Sequence, residues 1–222
     1  MPFALHPRYK QASNSTHVFF LTGPFSNWHP SRFDASLPGM VTLRRGGVFR
    51  YYCNEQYMMA AKAALFGDAV ALDRILALRP TAGHGASGER FETLMSTSRE
   101  RRRAWLTLPR ACKEAGRGVQ GFDVKVWNAL ARDIVFEGAL AKFGQNSHRA
   151  TLLDGTGNKI LVESSVSDTI WGVGLAWDDP RIEDPANWAG TNWLGEVTMR
   201  VRDALRAEKQ FATAVIDRSG AG

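Results

Sequence analysis

Hydrophobic and polar positions alternate between two periods along this chain. His17-Val18-Phe19-Phe20-Leu21 is a short apolar run of strand type, followed by a turn-rich loop from Thr22 to Pro30 that mixes Gly, Pro and Asn with aromatics. Val41-Thr42-Leu43 and Val48-Phe49-Arg50-Tyr51-Tyr52 read as two more strands joined through Gly46-Gly47. Helical spacing then takes over at Asn54 to Phe66, with Asn54 placed to cap it, and again at Ala69 to Leu78. A long amphipathic stripe on Trp127, Leu130, Ile134 and Ala141 predicts a helix over 126–143 ended by Gly144. A short helix over 148–153, a strand over 159–163 and a last helix over about 192–208, on Leu194, Val197, Val201 and Leu205, complete the pattern. The expected fold is α+β, a predominantly helical single domain with a small β-sheet. Residues 1–16 read as a flexible lead-in, 17–208 as the folded domain and 209–222 as a tail with little to pack.

The helix predicted from Asn54 has no polar side fit for water. Apart from Glu55 and Lys62 it consists of Tyr57, two methionines, four alanines, Leu65, Phe66 and little else. Seven residues is about two helical turns, so the carboxylate and the amine project from one face, toward the protein or a cleft. An amine in apolar surroundings loses part of its preference for charge, and a neutral amine attacks carbonyls and anomeric carbons. A carboxylate beside it orients it or moves protons. The competing interpretation is a partly buried ion pair that anchors the helix, and the spacing leaves both open.

Composition narrows the field. The chain has 222 residues, 44% hydrophobic and 23% charged, which fits one globular domain or one with a small appendage. No apolar run approaches the roughly 18 residues that span a bilayer, and no secretory signal precedes the first strand, so the expected location is cytoplasmic. Cys53 and Cys112 lack zinc spacing and are expected to be reduced thiols, while the five histidines are dispersed; neither a metal nor a cofactor is implied. A net charge of +6 favours anionic partners. Much of the excess lies in Arg99-Glu100-Arg101-Arg102-Arg103, either a solvated helix face or a nucleic-acid contact. Between Leu78 and Leu108 the chain turns rich in Gly, Ser, Thr and Arg, and Gly83-His84-Gly85-Ala86-Ser87-Gly88 there matches G-x-G-x-x-G with no strand before it. A basic surface insertion over about 79–108 is the expectation.

Two further segments carry chemistry. Glu163 ends a predicted strand, Asp168 lies in the hydroxyl-rich loop after it, and Trp171 precedes Gly172 and Gly174. Carboxylates at a strand end can polarise water or a leaving group, and an indole supplies a flat wall for a sugar or base. Alternatively Asp168 and Glu163 cap turns. Asn192 belongs to Gly190-Thr191-Asn192-Trp193, just ahead of the last helix.

Taken in order, Phe25-Ser26-Asn27-Trp28, Asn54-Glu55-Gln56-Tyr57 with Lys62, Gly116-Arg117 and Trp127, Lys142-Phe143-Gly144-Gln145-Asn146, Leu161-Val162-Glu163 with Asp168 and Trp171-Gly172, and Gly190-Thr191-Asn192-Trp193-Leu194-Gly195 with Met199 and Arg202 closely resemble the NADAR family, which includes the YbiA-like N-glycosidases. The likeness spans roughly residues 18 to 206. It implies hydrolysis of an N-glycosidic bond between ribose and a nitrogenous base. The substrate would be guanine carrying ADP-ribose, as a nucleotide or on DNA or RNA, or a phosphorylated ribosylamino intermediate of riboflavin synthesis. By position, the resemblance puts Lys62 and Glu55 at the reactive centre with Asp168 and Trp171 lining it. Ser26, Asn27, Trp28, Glu163 and Asn192 would hold substrate, and the Gly172 to Gly174 loop would approach phosphate or ribose. Lys62 would form a transient imine, or a carboxylate would activate water directly. The rival classes are a module that binds ADP-ribose or a related nucleotide without cleaving it, and a DNA-binding structural protein.

Overall fold

The computed structural model describes residues 4–5, 9–43, 45–80 and 99–219. Their elements, in chain order, are β1 (Ala4–Leu5), β2 (Gln11–Ser13), β3 (His17–Phe20), β4 (Phe33–Ala35), β5 (Phe49–Tyr51), α1 (Asn54–Leu65), α2 (Ala69–Ala77), α3 (Arg99–Arg117), α4 (Val124–Gly144), α5 (Ser147–Asp154), β6 (Ile160–Glu163) and α6 (Trp193–Ser219). The fold is α+β with helices dominating and small sheets, as the pattern predicts. The chain gathers into two compact units, one formed by residues up to Ser26 and from Phe143 onward, the other by Asn27–Lys142.

In the first unit the strands are ordered β1-β2-β3-β6, with β3 antiparallel to β2 and parallel to β6. All four residues of β3 are buried. A strand covered on both faces has no reason to alternate, which is why His17-Val18-Phe19-Phe20 is so apolar. Gln11–Ser13, inside the segment expected as a loose lead-in, pairs with β3 in register Ala12 to Phe19. Ala12, Phe19, Val162, Val173 and Ile182 form a buried cluster with Leu175, Trp177 and Trp188 against it. The last helix runs well past Glu208 to Ser219, with Phe211 exposed. Its first turns pack on β6 and α5, and Arg202 fixes the turn before β6 by donating to Thr156 Oγ1 and the Lys159 carbonyl, both at 2.9 Å.

The second unit holds α1 to α4 up to Lys142 and a two-stranded sheet. Here the hairpin expectation is corrected. β5 pairs antiparallel with β4, and Val41-Thr42-Leu43 is not a strand. That segment instead closes the C-terminal end of α1. Thr42 Oγ1 donates to the Ala64 and Leu65 carbonyls, and the Leu43 N–H donates to the Ala64 carbonyl. The carbonyls left open by the helix end take this segment's donors, and β5 pairs with β4 instead.

The start of α1 also differs from expectation. Asn54 is its first helical residue, and Cys53 is the N-cap without a side-chain cap bond. The first amides of the helix go elsewhere: Glu55 N–H donates to the Asn27 carbonyl at 3.0 Å and Gln56 N–H to the Cys53 carbonyl at 3.2 Å, while Gln56 Oε1 accepts from Tyr52 N–H, just ahead of the helix, at 3.0 Å. Gln56 Nε2 donates in turn to the Ile75 and Leu78 carbonyls, closing the end of α2. Helix α3 begins at Arg99, so the arginine run is helical in backbone; the Gly83 to Gly88 motif and Arg44 lie outside the described residues.

Candidate functional site

Helix α1 carries the first group of candidates. Eleven of its twelve residues are buried, and Lys62 is the exception. The burial agrees with a helix that has no side fit for water, and its one cation is half-buried. The Lys62 Nζ donates to the Gly116 carbonyl of α3 at 2.8 Å. It stands 4.0 Å from the centre of the Phe122 ring and 5.8 Å from that of Trp127. Burial pushes its pKa below the ordinary lysine value, and among the described residues no carboxylate charge opposes the shift. The anchoring ion pair that the spacing allowed is therefore not what holds the amine; a carbonyl and two aromatic rings are.

Glu55 lies two turns earlier and is 5% exposed. Its charge is felt at Cys112, whose thiol is pushed upward by its hydrogen bond with Cys53 first and by burial next. Both cysteines are free and buried. Asn27, also buried, serves α1 directly: its carbonyl takes the Glu55 amide, and its Oδ1 accepts from Asn54 Nδ2 at 2.8 Å. Trp28 is half-buried, its carbonyl accepting from the Trp105 indole, with the Lys113 ammonium 5.7 Å from its ring.

The first unit holds the other candidates. Ser26 is buried at the end of the turn closed by its own amide on the Gly23 carbonyl. Glu163 ends β6 with its side chain buried. Asn192 has a left-handed backbone, φ 56, and is 4% exposed. Its amide side chain is wholly engaged with β6, accepting from Glu163 N–H at 3.0 Å and donating to the Leu161 carbonyl at 2.9 Å. Leu161 and Glu163 present these groups on the open side of the sheet, so Asn192 stands in for a missing strand.

Asp168 caps the loop that follows, with Oδ1 accepting from the Ile170 and Trp171 amides at 3.1 and 2.8 Å. Its turn-capping role is thus present, and the half-buried carboxyl faces the loop that carries Trp171. Trp171 meets Trp193 edge to face at 5.6 Å. Gly172 is needed for backbone packing: a Cβ there would lie 2.8 Å from the Asp168 carbonyl and 2.9 Å from that of Glu163. Gly174 has φ 76 and its amide donates to the Ser165 carbonyl.

Chemically, the second unit offers a half-buried amine with a reduced hold on its proton, and the first offers a carboxylate loop walled by indoles. Sequence reasoning missed Phe122, whose isolated place between Gly121 and Asp123 carries no periodic signal. Among the described residues no group of three His, Cys, Asp or Glu side chains converges to hold a metal, and no helix is long and apolar enough to cross a membrane.

A family profile for the NADAR domain matches residues 18–206. The chain belongs to that family. It is 32% identical to Protein irg-1 of Caenorhabditis elegans over 216 residues, 93% of this chain and 89% of that protein. It is 35% identical to N-glycosidase R617 of Acanthamoeba polyphaga mimivirus over 180 residues, 81% of this chain and 85% of that protein. N-glycosidase Npun_R5314 of Nostoc punctiforme is 35% identical over 80 residues, 36% of this chain and 44% of that protein. The solution structure of the E. coli protein YbiA shares the fold, with a TM-score of 0.58 at 21% identity, covering 95% of this chain and 96% of that one.

Proposed function

We propose that this protein is an N-glycosidase that hydrolyses the bond between a ribose and a nitrogenous base, with ADP-ribose on guanine as its substrate. Phosphorylated ribosylamino intermediates of riboflavin synthesis are the second substrate class to test. The observation that carries the reading is Lys62, an amine seated on a carbonyl and under aromatic rings, with its proton loosened by burial. Relatives named N-glycosidases support the reaction class.

In the proposed reaction the Lys62 nitrogen bonds to the anomeric carbon as the carbon–nitrogen bond to the base breaks. The base leaves with a proton supplied by a carboxyl group. Ring opening gives an imine, water adds to it, and the amine departs with the free sugar released. Glu55 and Asp168 are the proposed proton carriers. Trp28 and Trp171 are proposed as stacking walls and Ser26 as a polar contact. Asn27 and Asn192 act by position, the first holding the head of α1 and the second holding Glu163, while Gly172 and Gly174 let the Asp168 loop close on itself.

The test is incubation with ADP-ribosylated guanine nucleoside and DNA, alongside a riboflavin-type ribosylamino phosphate, with products read by mass spectrometry. Release of free ADP-ribose, and a borohydride-trapped sugar adduct on Lys62, support the reading. Tight binding without release makes the protein a nucleotide-binding module. Normal turnover by Lys62→Ala removes the imine route.

A further inference from the structure

Phe122 has no part in the reaction as proposed, yet among the described residues it is the ring nearest the Lys62 amine. The connection that carries it is fixed at both ends. On one side the Gln120 amide donates to Asp68 Oδ2 at 2.9 Å, and Gly121 turns with φ 69, a left-handed conformation glycine adopts without strain. On the other, Asp123 caps α4 by accepting from the Lys125 and Val126 amides at 2.7 and 3.1 Å. Between these anchors the ring packs edge to face on Phe66 at 5.3 Å, and it is 44% exposed. It therefore has one side on the amine and another in water.

Resting on the reading of Lys62 as the reacting amine, we propose that Phe122 is a positioning residue whose ring keeps water from Nζ and holds the amine ready as a nucleophile. Two effects of the ring oppose each other. Its face attracts an ammonium, which favours the charged form, and its bulk excludes water, which favours the neutral form. We take the exclusion of water to dominate, because a carbonyl and two rings surround the amine, and burial moves its pKa in that direction. The charged and titratable groups on the surrounding elements are Glu55 on α1, Cys112, Lys113, Glu114 and Arg117 on α3, Lys125, Arg132, Asp133, Glu137 and Lys142 on α4, which carries Trp127, and Asp68 and Asp123 in the connections. None of them supplies the shift. A leucine at 122 would preserve the exclusion of water without the ring's attraction, and an alanine would preserve neither.

The experiment is site-resolved reductive methylation of the full chain with formaldehyde and cyanoborohydride across a pH series, followed by peptide mass spectrometry. Each variant's Lys62 labelling is normalised to its own high-pH plateau, so that altered access cancels. The expected result is an upward shift of about one pH unit in the Lys62 midpoint for Phe122→Ala, equivalent to about tenfold less neutral amine at pH 7. Phe122→Tyr should keep the wild-type midpoint, and Phe122→Leu, which keeps the cover but loses the ring's attraction for the ammonium, should leave the midpoint at or below the wild-type one. Gly121→Ala, which strains the turn that carries the ring, should shift it in the same direction as Phe122→Ala. An unchanged or lowered midpoint in Phe122→Ala overturns the proposal. Because no glycoside substrate is used, a shifted midpoint with no turnover on any substrate would leave this inference standing and remove the glycosidase reading.

Discussion

Asn192→Ala is the sharpest test of how the first unit holds its candidate site. The substitution removes two buried hydrogen bonds, to Glu163 N–H and the Leu161 carbonyl, from a residue 4% exposed. Each backbone group left unsatisfied costs about 1–3 kcal/mol. The left-handed backbone at φ 56 adds to this, since an alanine there pays about 1–2 kcal/mol that asparagine partly avoids. The expected loss is about 3–8 kcal/mol, a large share of the roughly 5–15 kcal/mol that stabilises a domain. Asn192→Gly loses the same two bonds but relieves the backbone, and should recover about 1 kcal/mol relative to alanine. Urea unfolding followed by tryptophan fluorescence reads both variants, with Trp193 adjacent in sequence and Trp171 packed against it. The midpoint should fall while the slope stays constant. An alanine variant within about 0.5 kcal/mol of wild type, the range of an ordinary surface change, would refute the strand-substitute role. A glycine variant less stable than alanine would refute the backbone term.

Turnover should rise with pH through a midpoint below the ordinary lysine value of 10.5, because the neutral Lys62 amine is the proposed nucleophile; an acid-favoured profile would contradict this. The same lowered pKa means that the unfolded chain binds this proton more tightly than the folded one. Stability contributed by Lys62 should therefore increase from its native midpoint up to about pH 10.5, and Lys62→Met should flatten that rise in urea titrations. Gly116→Ala places a methyl onto the Met59 sulfur and should cost about 1–3 kcal/mol, with part of it restored in the Gly116→Ala, Met59→Ala double variant. Cys53 and Cys112 are both buried, so a thiol reagent should label neither in the native protein and both in urea.

Much of the fold could be read from local pattern because its signals are local. The runs that predict β3, β6, α2, α4 and α5 appear as those elements within a residue or two. The hairpin at Gly46-Gly47 failed for a non-local reason: the partner of Phe49–Tyr51 lies upstream, at Phe33–Ala35, and Thr42 is drawn to the carbonyl end of α1. Asn54 failed as a cap for a similar reason, its amide being committed to Asn27 Oδ1 while the Asn27 carbonyl satisfies Glu55. Propensity describes what a residue does with its own backbone, and tertiary partners here offered better terms.

The candidate site divides along the same line. That Lys62 would be withdrawn from water followed from a helix with no polar face, and burial of the other eleven residues agrees. What sequence could not supply was the partner. Seven-residue spacing offers Glu55, whereas the amine is held by Gly116 on another helix and by Phe122 in a loop. The distinction decides the chemistry. A carboxylate beside the amine would favour the charged state and hold the proton in place. A carbonyl accepts one hydrogen bond without contributing a full negative charge, and aromatic cover removes water at a small electrostatic return. Lys62 is thereby oriented without being locked as a cation, the condition an amine must meet before it can attack a sugar carbon.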